Sequence, residues 1–196
     1  LKYTLISDDV TYQDYNRMYR YNPDGNLKRY RYGLTQLLQL NHTFSTKTFL
    51  NAGITHFKKS YQHRTYDRDK WDRYVHPKLL NSQPYSFLTG GTNLSVFSRE
   101  TSTSTFKADL TSQWNSKNKI KLGVEFRQHQ LNFNDYSLRP PDEKASFNEL
   151  SDDPFLGNPQ RFPDSTIYSS IYNFKPIEFS SYVQNKIELN ELIINL

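Results

Sequence analysis

Residues 106–127 read FKADLTSQWNSKNKIKLGVEFR, and their character alternates residue by residue. Phe106, Ala108, Leu110 and Trp114 share one parity, with Ser112 the single polar member; Lys107, Asp109, Thr111 and Gln113 share the other. The polar run Asn115-Ser116-Lys117-Asn118 interrupts the pattern. It resumes with Ile120, Leu122, Val124 and Phe126 against Lys121, Gly123, Glu125 and Arg127. Successive strand side chains point to opposite faces, so period 2 predicts a β-hairpin with one apolar and one charged face. A helix would scatter these charges around its circumference. The apolar face needs a cover, and either a protein core or lipid supplies one.

Composition sets the bounds. Only 35% of the 196 residues are hydrophobic and the mean hydropathy is −0.84, values that taken alone describe a polar or disordered chain. The 15 Tyr and 13 Phe argue against disorder, and a chain rich in Tyr, Thr, Ser and Asn favours strands over helices. Zero cysteines excludes a disulfide scaffold, a cysteine zinc site and a thiol nucleophile. The net charge of +5 is mild and spread along the chain, which gives no nucleic-acid signature. No stretch approaches the ~20 apolar residues of a membrane helix. The sequence opens on Leu1 without a leader pattern and closes on a strand-like Leu192-Ile193-Ile194-Asn195-Leu196. The expectation is an internal piece of a longer protein, residues 1–196 forming part of a single barrel domain.

Working outward from the hairpin, strands are predicted over Leu1–Val10, Tyr30–Phe44, about 50–57, the two arms of 106–127, Phe179–Leu189 and a last one from Leu192. The turns at 45–47, 115–118 and 190–191 are tight. The other connections, about 11–29, 61–101 and 132–176, are long and carry turn signals such as Asn22-Pro23-Asp24-Gly25. Loops this long are unusual in a compact soluble domain. Short turns on one side and long loops on the other, with strands of spanning length flanked by aromatics, match the layout of an outer-membrane barrel. The predicted fold class is therefore all-β: about six or seven strands of a larger antiparallel transmembrane β-barrel, with long extracellular loops and short periplasmic turns. A soluble β-sandwich, whose strands also alternate, is the alternative.

Three stretches carry a resemblance. They are LNHTFSTKTFLNAGITHF (40–57), STFKADLTSQWNSKNKIKLGVEFRQHQL (104–131) and SSYVQNKIELNELIINL (180–196). They resemble the barrel of TonB-dependent outer-membrane receptors, especially large receptors of Bacteroidetes-type bacteria with an N-terminal carboxypeptidase-like regulatory domain. His42 before a tight turn, the Lys-Ala-Asp-Leu-Thr-Ser-Gln strand at 107–113 and the Tyr-Val-Gln-Asn-Lys strand at 182–186 carry it, with Asn185 where the family more often has Asp. The resemblance implies a Gram-negative outer-membrane receptor that takes up a scarce nutrient of the siderophore, cobalamin or oligosaccharide class into the periplasm. It also implies a barrel of about 22 strands, with a plug domain and a closing C-terminal strand that these residues do not contain. Its expected partners are outer-membrane lipid, the TonB energising complex and the ligand, and no nucleic acid. A soluble or surface-attached all-β carbohydrate-binding module is the alternative function.

Candidate ligand-binding residues are aromatics of the expected long loops: Trp71, Tyr74, Tyr136, Tyr168 and Tyr172. His42, His56, His63, His76 and His129 show no tight ligand spacing; His63, Asp67 and Asp69 cluster in a loop, where solvated side chains explain them as well as a metal does. Basic residues interleave with aromatics over Lys58–Tyr66 and Tyr15–Tyr32, which suits a barrel rim meeting anionic headgroups better than a nucleic-acid groove. Lys107, Asp109, Lys121, Glu125, Arg127, Lys186 and Glu188 are expected on the lumen face, where mixed charges pair with one another. No nucleophile-elbow, P-loop or metalloprotease motif occurs. Asp142-Glu143 and Asp152-Asp153 sit in a Pro-rich stretch with nothing to bury them. The chain is expected to be no enzyme, and no cofactor is implied.

Overall fold

A computed structural model describes residues 1–75, 87–139, 160–161, 163–189 and 192–195. The chain is all-β. Its strands are β1 (Lys2–Tyr12), β2 (Lys28–Ser45), β3 (Thr48–Arg64), β4 (Ser95–Gln113), β5 (Asn118–Arg139), β6 (Gln160–Arg161), β7 (Ser169–Phe174), β8 (Ile177–Glu188) and β9 (Ile193–Asn195). They form one antiparallel meander in the order β1-β2-β3-β4-β5-β8-β9, with β6 and β7 also pairing with β5. The sheet is open: β1 and β9 do not pair. No described helix is long and apolar enough to cross a membrane.

The 106–127 hairpin forms with Lys107 opposite Glu125, Ala108 opposite Val124 and Leu110 opposite Leu122. Its turn is held by Asn115, whose Oδ1 accepts from the Lys117 and Asn118 amides at 2.9 and 2.8 Å. An Asn side chain mimicking a backbone turn explains why a polar tetrapeptide ends the alternation there. β7 and β8 act as one strand. Leu131 pairs with Phe174 and Gln128 with Ile177, and the His129 amide donates to the Pro176 carbonyl at 2.9 Å. Proline removes one donor and interrupts the ladder without shifting its register.

Three strands outrun the predicted ones, and the correction concerns the loops. β3 continues to Arg64, β4 begins at Ser95, and β5 continues to Arg139. The expected loops 61–101 and 132–176 therefore shrink, and Tyr136 and Tyr172 lie in β5 and β7 rather than in a loop. Beyond Phe126 the pairs remain antiparallel while the residues on the formerly apolar parity become Gln128, Gln130, Asn132 and Asn134. The other parity carries Leu131 and Phe133 among Arg127, His129 and Asp135, so the hydrophobic contrast there is weaker and changes sides.

The sheet changes character at one row. On the face carrying Val124, Leu38, Ile54, Phe106, Phe126 and Phe179 are successive cross-strand partners. Towards the short turns this face is mainly apolar, with Leu40, Leu50, Ala52, Ala108, Leu110, Leu122, Val124 and Val183 interrupted by His42, Ser112, Ser181 and Asn185. The next row the other way is Gln36, His56, Ser104, Gln128 and Ile177. Polar pairs follow, including Lys58 Nζ to Glu100 Oε2 at 3.0 Å. The apolar band lies open, with Ile54 at 54%, Phe179 at 70% and Val183 at 74% exposure.

Buried side chains collect elsewhere. Tyr19, Tyr74, Leu88, Leu138, Thr65 and Thr92 all sit at the long-connection end. There the connections 13–27 and 65–94 are tied together. The Leu88 amide donates to the Met18 carbonyl at 2.7 Å, the Asn93 amide to the Gly25 carbonyl at 2.8 Å, and Asn22 Nδ2 to the Gly91 carbonyl at 2.6 Å. Leu138 of β5 joins them through its amide and the Leu94 carbonyl at 2.8 Å. A Cβ at Gly25 would fall inside the van der Waals radius of the Gly91 carbonyl oxygen, and Gly91 itself has φ 93°. Both positions thus require glycine, one for space and one for backbone conformation.

Candidate ligand-binding surface

The opposite face, carrying Glu125, changes character at the same height in the reverse sense. Beside the apolar band it is charged. Arg127 pairs with Glu125 and, at 3.6 Å, with Glu178; Lys107 meets Asp109 at 3.6 Å. The Tyr182 hydroxyl donates to Asp109 Oδ1 at 2.7 Å while its ring lies over Gly123, occupying the space a Cβ would need. Lys186 holds Glu188 at 2.5 Å. The lumen-type charges expected from the sequence thus mostly satisfy one another.

Towards the long connections the Glu125 face becomes aromatic. Tyr61, His63, Phe97, Phe133, Tyr172 and Phe174 run as a ladder across β3, β4, β5 and β7. His63 stacks on Phe97 with centroids 5.1 Å apart and planes at 18°. Phe97 meets Phe133 edge to face at 5.3 Å, and Phe133 stacks on Tyr172 at 4.8 Å and 1°. Tyr61 reaches Phe97 at 5.8 Å and Tyr172 reaches Phe174 at 5.5 Å. Register explains the stacking: His63 is directly opposite Phe97, and Phe133 opposite Tyr172. Such pairs contribute ~0.5–1.5 kcal/mol each beyond area burial. His63 lies at the far end of β3, well beyond the apolar band. Its burial, and next the Arg29 guanidinium, hold its pKa below the ordinary value. The ladder's last rungs are open, with Tyr172 at 40% and Phe174 at 60% exposure.

Cations border this ladder. Arg29 is engaged, donating to the Tyr61 hydroxyl at 2.5 Å and pairing with Asp14 at 2.6 Å. Arg31 pairs with Asp8 at 3.3 Å. Arg99, in register between Tyr61 and Phe133, is exposed and has no hydrogen bond or ion pair among the described residues, and the same holds for Lys59 one row below. Lys59 borders a hollow of ≈ 390 Å³ over Gly33, shared with Asp8, Arg31 and Phe57.

The five aromatics singled out from the sequence do not converge. Trp71 lies half-buried in the 3₁₀ turn Arg68–Arg73, with the Arg68 guanidinium 5.8 Å from its ring. Tyr74 is buried, its hydroxyl accepts from the Tyr66 amide at 3.2 Å, and burial pushes its pKa up. Tyr136 is on the Val124 face under the Arg161 guanidinium at 4.7 Å. Tyr168 stacks with Arg139 at 4.6 Å. Of the five, only Tyr172 belongs to the ladder. The other ladder members also fall in the expected loops, and loop position alone does not distinguish them from the five. The available signal was aromatic spacing at i and i+2, Tyr61 with His63 and Tyr172 with Phe174. Among the described residues no three His, Asp or Glu gather as a metal site. Asp67 is paired instead with Arg64 at 2.6 Å. His76, Asp142-Glu143 and Asp152-Asp153 lie outside the described residues.

No protein family, curated protein sequence or solved structure matches the chain.

Proposed function

We propose that this sheet is a wall sector of an outer-membrane β-barrel, part of a receptor of the TonB-dependent type that captures a scarce nutrient at the cell surface for passage to the periplasm. The observation carrying this reading is the open apolar band of the Val124 face, bounded by the row Ile54, Phe106, Phe126 and Phe179. Leaving a large apolar side chain half in water forgoes about 1 kcal/mol. Ten such residues on that face forgo about 10 kcal/mol, as much as the whole stability of a domain. From Phe106 to Trp114 the band runs roughly 26 Å along the strand before any tilt, comparable with the ~25 Å lipid-facing band of such barrels. The aromatic row corresponds to their interfacial girdle, and the polar rows above it to a wall rising out of the membrane. The charged face and the tyrosine over Gly123 then line the lumen.

The second reading, a soluble or surface-attached carbohydrate-binding module, draws on the same aromatic ladder, with a second protein layer over the band. The chain's lack of cysteine makes a clean test. Nitroxide labels are placed singly at residues 121–126 of the protein in its native membrane, and collision with oxygen and with a water-soluble nickel chelate is measured. Oxygen access at 122, 124 and 126, alternating with nickel access at 121, 123 and 125, is the expected result. Labels at 122 and 124 shielded from both reagents would sink the membrane reading and favour the module.

A further inference from the structure

The geometry points to the upper Glu125 face as the site for an acidic oligosaccharide, its carboxylate held by Arg99 and Lys59 and its hydroxyls laid along the ring ladder. This deepens the receptor reading and rests on it in one respect: the Glu125 face must stay open.

Four observations converge. First, the ladder crosses four adjacent strands, about 14 Å at the usual interstrand spacing. That is the length of a short oligosaccharide rather than of one sugar. Second, the two face-to-face pairs, His63–Phe97 and Phe133–Tyr172, cover their π faces with each other. Side chains stand off a sheet roughly perpendicular to it, so such pairs present their ring edges outward. Ring edges carry the positive part of the aromatic quadrupole and favour oxygen over a cation. Third, Arg99 stands between Tyr61 and Phe133 in the same row, exposed and without a partner among the described residues, and the same is true of Lys59 one row below. Neighbouring Arg29 and Arg31 already have carboxylate partners, so on the upper Glu125 face of β2, β3 and β4 Arg99 and Lys59 are the cations left without one among the described residues. Fourth, exposed Asp135, opposite Phe97, supplies one acceptor for ligand hydroxyls beyond the cationic row, and the Thr101 hydroxyl supplies a donor below it, the Thr103 hydroxyl being shared with His129 Nδ1 at 2.9 Å. A neutral ligand would leave both cations unanswered. A small inorganic anion would leave the ladder unused.

The test uses the full-length protein in detergent and a panel of uronate-containing trisaccharides, each paired with its carboxyl-reduced counterpart, with binding read by calorimetry. A uronate trisaccharide is expected to bind, and reduction of its carboxyl to weaken binding roughly tenfold, the usual scale of a charge-assisted hydrogen bond. Arg99→Ala should bring the acidic ligand down to the level of the reduced one, and Arg99→Lys should fall between. Lys121→Ala, a cation on the same face beside the apolar band, should change nothing. Indifference to carboxyl reduction, indifference to Arg99→Ala, equal losses in Arg99→Ala and Lys121→Ala, or binding by no member of the panel each overturns the proposal. Circular dichroism and the shift in gel mobility on boiling verify that each variant is folded. The spin-label pattern is an independent readout: oxygen access without uronate binding ends this inference alone, whereas binding with a shielded Val124 face ends the barrel alone.

Discussion

The two halves of this sheet use one backbone plan with opposite side-chain logic. Beside the short turns, the Val124 face is apolar and the Glu125 face charged. Beyond the row Ile54, Phe106, Phe126 and Phe179, the Val124 face is polar and the Glu125 face aromatic. Strand pairing runs across the boundary without a shift from Lys119 to Ser137. The difference therefore lies in what each face meets. A low-dielectric neighbour selects apolar side chains on one side of the lower half. Above it the Val124 face is polar, and on the Glu125 face the rings cover one another.

A charge in the lower band separates the halves most sharply. Val124→Arg is expected to cost about 2–4 kcal/mol, as for cations on the lipid face of barrels, whereas Gln130→Arg on the same face of the same strand should stay within about 0.5 kcal/mol. Urea unfolding in micelles measures both, and equal effects would erase the boundary. Next comes Gly25→Ala, which overpacks the contact with the Gly91 carbonyl. A loss of roughly 1–3 kcal/mol is expected, with faster proteolysis of connections 13–27 and 65–94 and an unchanged spin-label pattern in the band. Protease resistance equal to the parent would show that the two connections are not locked at this point. Tyr74→Phe removes the hydroxyl that accepts from the Tyr66 amide and should cost about 1 kcal/mol, read as a shift in thermal midpoint. Smallest is Lys58→Ala, which breaks the pair with Glu100 on the outer polar rows. Half-exposed pairs contribute ~0–1 kcal/mol, so its unfolding curve should nearly overlay the parent's. A larger loss would mean that this region is drier than its polar rows imply.

The lower half was legible in the sequence because its two faces differ. Alternation at 106–127 predicted the two strands and the turn that form, while the Lys107–Glu125 register comes from the structure. The upper half was not, because Lys58, Ser60 and Gln62 alternate with Lys59, Tyr61 and His63 and neither parity is apolar. Those positions read as loop, and without the strands the cross-strand pairing that stacks the ladder residues is not visible. The position of Trp71 and Tyr74 in a true connection was legible. The burial of Tyr74 was not, since it depends on Thr65 and Tyr66, and the Gly25–Gly91 approach joins residues far apart in the chain. No local pattern encodes contacts of that kind.

Sequential pairing has a consequence for how such a chain comes together and how it varies. Each long strand finds its partner next door in the chain, so the sheet is able to zip one hairpin at a time, with the free edge after every step serving as template for the next. It also makes a hairpin the unit of change. Excising β2 and β3 as a pair would bring β1 beside β4 with strand direction preserved, whereas losing one strand would reverse it. A wall assembled this way widens or narrows in steps of two.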